Sequence, residues 1–115
     1  MAMSTPINQA LAAGASVTSG AMALTAPVSG VELILSTQWA AASAAGIYLT
    51  YQVSLDGTTY SDPMPTHLSP ASTDTSTHIV QGTISVPNGA DVKFTVVNRD
   101  PKNALTNVTL QAIQF

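Results

Sequence analysis

The sequence predicts an all-β protein, an antiparallel β-sandwich of about six to eight strands. Apolar and polar residues alternate along most of the longer runs, whereas a 3.6-residue period nowhere persists for three helical turns. Asp, Asn, Gly and Pro separate these runs at short intervals. Short strands joined by turns are typical of a sandwich, and the strand order, jelly-roll or immunoglobulin-like, stays open.

The first three strands are predicted at 15–24, 31–37 and 46–55. The first, ASVTSGAMAL, alternates weakly after a polar start. In the second, Val31, Leu33 and Leu35 share one face. The third, GIYLTYQVSL, alternates apolar and polar residues along its length, as a half-buried antiparallel strand does.

Three more strands are predicted at 78–86, 90–98 and 106–115. HIVQGTISV resumes the alternation after a polar, proline-rich stretch, and ADVKFTVVN places Val92, Phe94 and Val96 on one face. The run TNVTLQAIQF has the same pattern. Turn residues such as Asp56-Gly57 and Asp100-Pro101 separate the strands.

The sequence divides into a predicted arm and one sandwich domain. Residues 1–14 are polar, uncharged and without a strand period, so they are predicted to form an extended N-terminal arm. Residues 15–115 are predicted to form a single domain with a long surface loop at 61–77, which holds three of the seven prolines. Loops of this length in small domains are often functional.

The composition suggests a component of an assembly. Only 8% of the residues are charged, about a third of the usual ~25%. Serine and threonine together number 27, and alanine 17. Because few charges keep copies apart, such a surface favours contact with neighbours. A small secreted domain that is simply poor in charge is the alternative.

Several function classes lack the residues they need. Lys93, Arg99 and Lys102 are the only basic residues, too few to follow a nucleic-acid backbone. No apolar run reaches the length of a membrane span, so no membrane partner is expected. No cysteine is present, which excludes thiolate nucleophiles and zinc–thiolate sites.

The polar residues suggest turns rather than catalysis or metal binding. Asp56, Asp62 and Asp74 could supply calcium ligands, but their spacing matches no calcium loop. His67 and His78 belong to no nucleophile or metalloprotease motif. We therefore expect no cofactor, no metal site and no enzymatic activity.

A hairpin motif carries a resemblance to a known family. The stretch YLTYQVSLDGTTYSD (48–62) resembles the S-x-D-G-T-x-W hairpin of small β-sandwich virion structural proteins of tailed bacteriophages, with tyrosine at the tryptophan position. The wider strand layout is similar to that of head decoration, or cement, proteins. The resemblance implies a protein made in the host cytoplasm that binds the capsid exterior and stabilises contacts between major capsid proteins. It also implies a homotrimer or higher assembly, and it brings no catalytic residues.

This interpretation singles out candidate interface residues in three places. They are Ile7 and Leu11 in the arm, Trp39 at a strand end, and Met64, Pro65, His67 and Leu68 in the long loop. Trp39 is also a candidate for the core or for a sugar platform. Two alternative functions stay open: a tail or neck component of a virion, and a carbohydrate-binding module. Trp39, Tyr48 and Tyr60 exposed together on one surface would favour the second.

Overall fold

The computed structural model describes residues 2–24, 30–43, 45–68, 74–87 and 89–115. Over these residues the chain forms strands and connecting segments, and no helix. The predicted fold class is confirmed. The strands are β1 (Ala2–Leu11), β2 (Ser16–Thr18), β3 (Met22–Ala23), β4 (Val31–Trp39), β5 (Ile47–Ser54), β6 (Met64–Pro65), β7 (Thr77–Ile84), β8 (Asp91–Asn98) and β9 (Leu105–Gln114).

Two antiparallel sheets make the sandwich. The four-stranded sheet has the order β1-β9-β4-β7. The five-stranded sheet has the order β2-β8-β5-β6, and β3 also pairs with β8. The described residues include no helix with the length and hydropathy that a membrane span requires.

The alternating pattern decides which face of each strand enters the core. In β4 every second residue from Val31 to Trp39 is buried, and in β8 the buried residues include Val92, Phe94 and Val96. These side chains meet between the sheets. Burial of apolar surface is the main favourable contribution to folding, at roughly 25 cal/mol per Å². The residues that alternate with these buried ones lie on the outer faces of the sheets.

The N-terminal segment differs from the arm predicted at 1–14. Residues Ala2–Leu11 form β1, which pairs with β9 at the edge of the four-stranded sheet. Ile7 and Leu11 are each 3% exposed and belong to the core. A two-residue period is hidden in the sequence because the pairing shifts between Ser4 and Ile7, next to Pro6. The segment is therefore an edge strand of its own domain.

The long loop predicted at 61–77 is partly packed on the sandwich. Met64–Pro65 forms β6 and pairs with Thr50 and Tyr51 of β5. Leu68 is buried against β7, where a Cβ built on Gly82 would lie 2.9 Å from Leu68 Cδ2. A glycine at position 82 therefore leaves the space that Leu68 fills. Residues 69–73 lie outside the described residues, and β7 begins at Thr77.

The weak strand predicted at 15–24 is divided into β2 and β3 by Ser19. The N–H of Ser19 donates to the Phe94 carbonyl at 2.8 Å, and its hydroxyl accepts from the Phe94 N–H at 2.9 Å. The side chain of Ser19 thus takes the place of a main-chain acceptor beside β8. These two hydrogen bonds keep the segment paired with β8 at the point where the regular main-chain pairing stops.

Candidate interaction surface

The seven predicted interface residues are placed in different surroundings. Four are buried in the chain's own core and are unavailable to a neighbour: Ile7, Leu11, Trp39 and Leu68. Met64 is half-buried in β6, and the exposed pair is Pro65 and His67. His67 has a φ of 61°. For Met64, Pro65 and His67 an interface role stays a prediction.

The outer face of the four-stranded sheet is formed by the strands β1, β9, β4 and β7, which are eight to ten residues long. Because Leu33 and Leu35 point into the core, Ile34 and Ser36 point outward. Ile34 lies opposite Gln111 of β9 on one side and Gln81 of β7 on the other. Side chains from strands distant in sequence therefore share this face.

Four aliphatic side chains cross this face, one from each strand. Met3 of β1 lies directly opposite Ile113 of β9. Ile34 of β4 has two diagonal neighbours on this face, Ile113 of β9 on one side and Ile79 of β7 on the other. Diagonal neighbours in a sheet are about 7–8 Å apart, within reach of long side chains. Met3 is 67% exposed and Ile79 is 66% exposed. We call Met3, Ile113, Ile34 and Ile79 the aliphatic stripe.

The surroundings of the aliphatic stripe are almost without charge. Amides and hydroxyls flank it, among them Gln81, Gln111, Ser36 and Thr109. Across the four strands of this sheet, Glu32 is the sole Asp, Glu, Lys or Arg residue, and it lies directly opposite Ile113. A surface with this composition loses little hydration when another flat surface covers it, because few charges have to be desolvated.

The outer face of the five-stranded sheet carries two tyrosines. Tyr48 on β5 is 48% exposed, and the Arg99 guanidinium lies 5.8 Å from its ring centre. Tyr60, after the β5 turn, has the Lys93 ammonium 4.2 Å from its ring centre. Both contacts have the geometry of cation–π interactions. Trp39 is not part of this surface, since it is 2% exposed.

A row of threonines lies between the two tyrosines. Thr18, Thr95 and Thr50 are directly opposite one another on β2, β8 and β5. The hydroxyls of Thr18 and Thr95 are 3.0 Å apart. Thr50 is buried, so Thr18 and Thr95 supply the accessible hydroxyls of this face, which has an aromatic ring toward each end.

The SLDGTTY segment forms the turn that its sequence predicts. The Asp56 carboxylate accepts the main-chain N–H groups of Thr58 and Thr59 at 2.8 Å each, and the Ser54 hydroxyl at 2.9 Å. These hydrogen bonds, that from Thr59 foremost, lower the pKa of Asp56 to about 2. Gly57 follows with a φ of 77°, a conformation that glycine adopts without strain. Asp56 therefore serves the turn.

An Asp–Ser–His group at the start of β7 is not arranged for nucleophilic catalysis. Asp74 Oδ1 accepts the Ser76 hydroxyl at 2.6 Å and lies 2.8 Å from His78 Nε2. The same Nε2 atom is 3.5 Å from the Ser76 hydroxyl. A catalytic triad needs one imidazole nitrogen toward the acid and the other toward the hydroxyl. The group is a local turn motif, and the Ser76 and His78 hydrogen bonds lower the pKa of Asp74 to about 2.

A hydrogen-bonded cluster joins three connections at one end of the sandwich. The buried carboxylate of Asp100 accepts the Ser43 hydroxyl at 2.6 Å, the Lys102 N–H at 2.8 Å, and both the side-chain and the main-chain N–H of Asn103 at 2.9 and 3.1 Å. These donors, Ser43 foremost, hold the pKa of Asp100 well below its usual range. The Asn98 amide adds a donor to the Ala12 carbonyl at 3.1 Å. The cluster has a structural role, since its hydrogen bonds join the β4–β5, β8–β9 and β1–β2 connections to one another.

The three aspartate turns predict a loss of stability in acid. The pKa values of Asp56, Asp74 and Asp100 are lower in the folded chain than the ordinary 3.8, so folding favours their ionised forms. Their contribution is complete above about pH 5 and declines as the pH falls from about 4 toward 2. Thermal unfolding followed by circular dichroism should show Tm constant near neutrality and falling over that range.

The variant Asp100→Asn tests the assignment of that acid dependence. It should lower Tm by several degrees at neutral pH, because an amide NH2 faces donors that a carboxylate oxygen accepted. The variant should also show a smaller decrease of Tm between about pH 4 and pH 2 than the parent chain does. The exposed Asp62 lies outside these turns, so Asp62→Asn is the control. Equal acid profiles for the Asp100→Asn variant and the parent chain would contradict the assignment.

Among the described residues, no group of three or more His, Cys, Asp or Glu side chains is placed to hold a metal ion.

The features that sequence reasoning missed are the members of the aliphatic stripe. Ile34 and Ile113 occupy polar positions of alternating strands, and that mismatch is the signal that could have identified them.

Comparison with solved structures finds the same fold in viral and carbohydrate-related chains. A chain in the structure of the infectious bursal disease virus Gx strain has a TM-score of 0.68 and 11% identity, over 99% of this chain and 31% of that one. A chain of the infectious bursal disease virus VP2 subviral particle has a TM-score of 0.56 and 10% identity, over 99% and 32%. The CBM22-1 xylan-binding domain of Paenibacillus barcinonensis Xyn10C has a TM-score of 0.57 and 20% identity, over 82% and 62%.

These similarities concern the fold. At such identities they show that the β-sandwich is shared, and the chain spans about a third of the length of the viral chains. No protein-family model matches the sequence, and neither does any curated protein.

Proposed function

We propose that this chain is a non-enzymatic structural protein of a bacteriophage virion that decorates the capsid exterior. The observation that carries the proposal is the outer face of the four-stranded sheet, where the aliphatic stripe crosses a surface whose one charged residue is Glu32. Such a face binds by area and shape, as stable protein contacts of about 800 Å² per partner do. Repetition of a modest contact over a lattice then gives a strong overall attachment.

Two further observations support this proposal. The segment through which the sequence resembles head decoration proteins forms a turn around Asp56 and Gly57, as a hairpin motif requires. Chains of the infectious bursal disease virus and of its VP2 subviral particle are among the solved structures with the same fold, and the shared part includes nearly all of this chain. The partner in this proposal is the surface formed by major capsid proteins, with copies of the chain as neighbours.

A second candidate function is carbohydrate binding. It is favoured by Tyr48 and Tyr60, which lie on the outer face of the five-stranded sheet with the threonine row between them. Aromatic rings and the hydroxyls of Thr18 and Thr95 on one sheet face suit the apolar and polar sides of a sugar. The virion role is preferred because Trp39, the third ring of the arrangement expected for a sugar site, lies in the core.

The test is binding to capsids. Capsids of the virus that encodes the chain, prepared without it, should bind the purified protein in a fixed ratio to the major capsid protein on density gradients. The variant Ile34→Lys places a charge in the middle of the aliphatic stripe and should weaken binding at least about tenfold. The control is Leu55→Lys, which changes another exposed apolar side chain away from this sheet.

Two results would contradict the virion proposal. One is the absence of binding to capsids, and the other is equal binding by the two lysine variants. Binding in a glycan screen that is lost in Tyr48→Ala and kept in Leu55→Ala would establish the second candidate instead.

A further inference from the structure

The sandwich has exposed sheet edges, and most of them are protected against pairing with another chain. An edge strand offers unpaired N–H and C=O groups, and proteins block such edges with proline, bulges, charges or short strands. In β1 both Pro6 and the shift in pairing between Ser4 and Ile7 interrupt the edge. On the other sheet, β6 has two residues and ends in Pro65, and β2 has three.

Strand β7 has none of these protections. Its eight residues, THIVQGTI, pair with β4 in an unbroken register from Thr77 to Ile84. It contains no proline and no Asp, Glu, Lys or Arg. Within the part of the chain that the structure describes, no strand pairs with its other side. Ile79, the end of the aliphatic stripe, is 66% exposed on this strand.

We propose that β7 pairs antiparallel with β7 of a second copy of this chain around a two-fold axis. The two four-stranded sheets then form one continuous sheet of eight strands. A second copy is the occupant that the charges favour, because the edge is neutral and a copy supplies a strand of equal length and the same alternation. A contact of a surface with itself is also the form that two-fold dimers take.

The alternation along β7 restricts the register of this pairing. Opposite residues in an antiparallel pair point to the same face, so a continuous outer face requires Thr77, Ile79, Gln81 and Thr83 to lie opposite residues of that same set. The two registers closest to the middle of the strand place either Val80 opposite Val80 or Gln81 opposite Gln81 at the axis.

Neither register brings two charges together. His78, the one titratable residue of β7, lies opposite Gly82 in the first register and opposite Ile84 in the second. Seven paired residues give about six to eight main-chain hydrogen bonds. A typical protein interface has ~10 hydrogen bonds, so the ladder alone supplies most of that number.

This pairing does not depend on the proposed virion function. It leaves the outer face of the four-stranded sheet free and extends it over eight strands, with the aliphatic stripe of each copy ending at the shared edge. A dimer through β7 could therefore form whether that face contacts a capsid or something else.

The first test compares two variants with the same chemical change. Gln81 and Gln111 both flank Ile34 on the outer face, but Gln81 is on the edge strand and Gln111 is on the interior strand β9. Gln81→Lys makes two lysines cross-strand neighbours at the axis, diagonal in the first register and directly opposite in the second, with Cβ atoms about 4.5–8 Å apart. It should raise the dimer dissociation constant by roughly tenfold or more, whereas Gln111→Lys should leave it unchanged. Light scattering on a size-exclusion column over a wide concentration range measures both.

The second test uses the absence of native cysteine. Under mild oxidation, Val80→Cys should form a disulfide-linked dimer in the first register and Gln81→Cys in the second, because only the residue at the axis meets its own copy at disulfide distance. Gln111→Cys should form the same dimer without a disulfide cross-link in the same conditions. A monomer at all concentrations, equal effects of the two lysine variants, or a dimer that neither Val80→Cys nor Gln81→Cys cross-links would overturn the proposal.

Discussion

Deletion of residues 1–14 should unfold the domain rather than release a folded sandwich without its arm. The deletion removes β1, and with it the buried side chains of Ile7 and Leu11 and the main-chain partners of β9. Removal of a buried Ile or Leu side chain costs about 2–5 kcal/mol. Small domains have a total stability of about 5–15 kcal/mol. Two such losses together with an exposed strand therefore take most or all of the available stability.

Circular dichroism and thermal unfolding of the deleted chain measure this effect. A full-length variant with Ile7→Ala and Leu11→Ala separates the contribution of the side chains from that of the strand, and it should lose most of the stability as well. The exposed Asn8 and Gln9 lie on the same strand, so Asn8→Ala with Gln9→Ala is the matched control, expected within about 1 kcal/mol of the parent chain. A deleted chain that melts cooperatively at the parent Tm would contradict this expectation and support the prediction of a separate N-terminal arm.

The failure to predict β1 as a strand indicates which parts of this fold can be predicted from the sequence and which cannot. Strands β4, β5, β7, β8 and β9 were predictable because one face of each enters the core and their registers have few interruptions. Alternation is then visible in the sequence. In β1 a bulge beside Pro6 brings Ser4 and Ile7, which are three residues apart, to the same face of the strand, so the two-residue period is broken there. The hydroxyl of Ser19 replaces a main-chain partner beside β8, and alternation in the sequence did not show that the strand predicted at 15–24 is divided there into β2 and β3.

The candidate surface was beyond sequence reasoning for a different reason. Ile34 and Ile79 lie next to each other only because β4 pairs with β7, and Ile34 meets Ile113 only because β4 also pairs with β9. Strand order is not readable from alternation within single strands, so the residues of a face made from four strands cannot be grouped in advance. The loop residues were grouped by proximity in sequence instead, and Leu68 then proved to be a core residue.

Substitution of Trp39 by alanine should be among the most damaging single changes in the chain. Trp39 ends β4 opposite Leu105, is 2% exposed, and is among the largest fully buried side chains. Truncation of a buried tryptophan to alanine costs about 3–5 kcal/mol, through lost apolar burial and the cavity that remains. The predicted role of Trp39 as an interface anchor or sugar platform requires an accessible ring, and under that role the same change would alter binding with little loss of stability.

Chemical denaturation of Trp39→Ala and Tyr48→Ala distinguishes these roles. Tyr48 is 48% exposed on the outer face of the five-stranded sheet, so its truncation should cost about 1 kcal/mol or less. Trp39→Phe keeps an aromatic ring in the core and should recover a large part of the lost stability. A Trp39→Ala chain as stable as the Tyr48→Ala chain would mean that the ring is not a core element. A large loss confined to Trp39→Ala would show that the ring is a core element, which leaves Tyr48 and the aliphatic stripe on the outer faces as the accessible apolar groups.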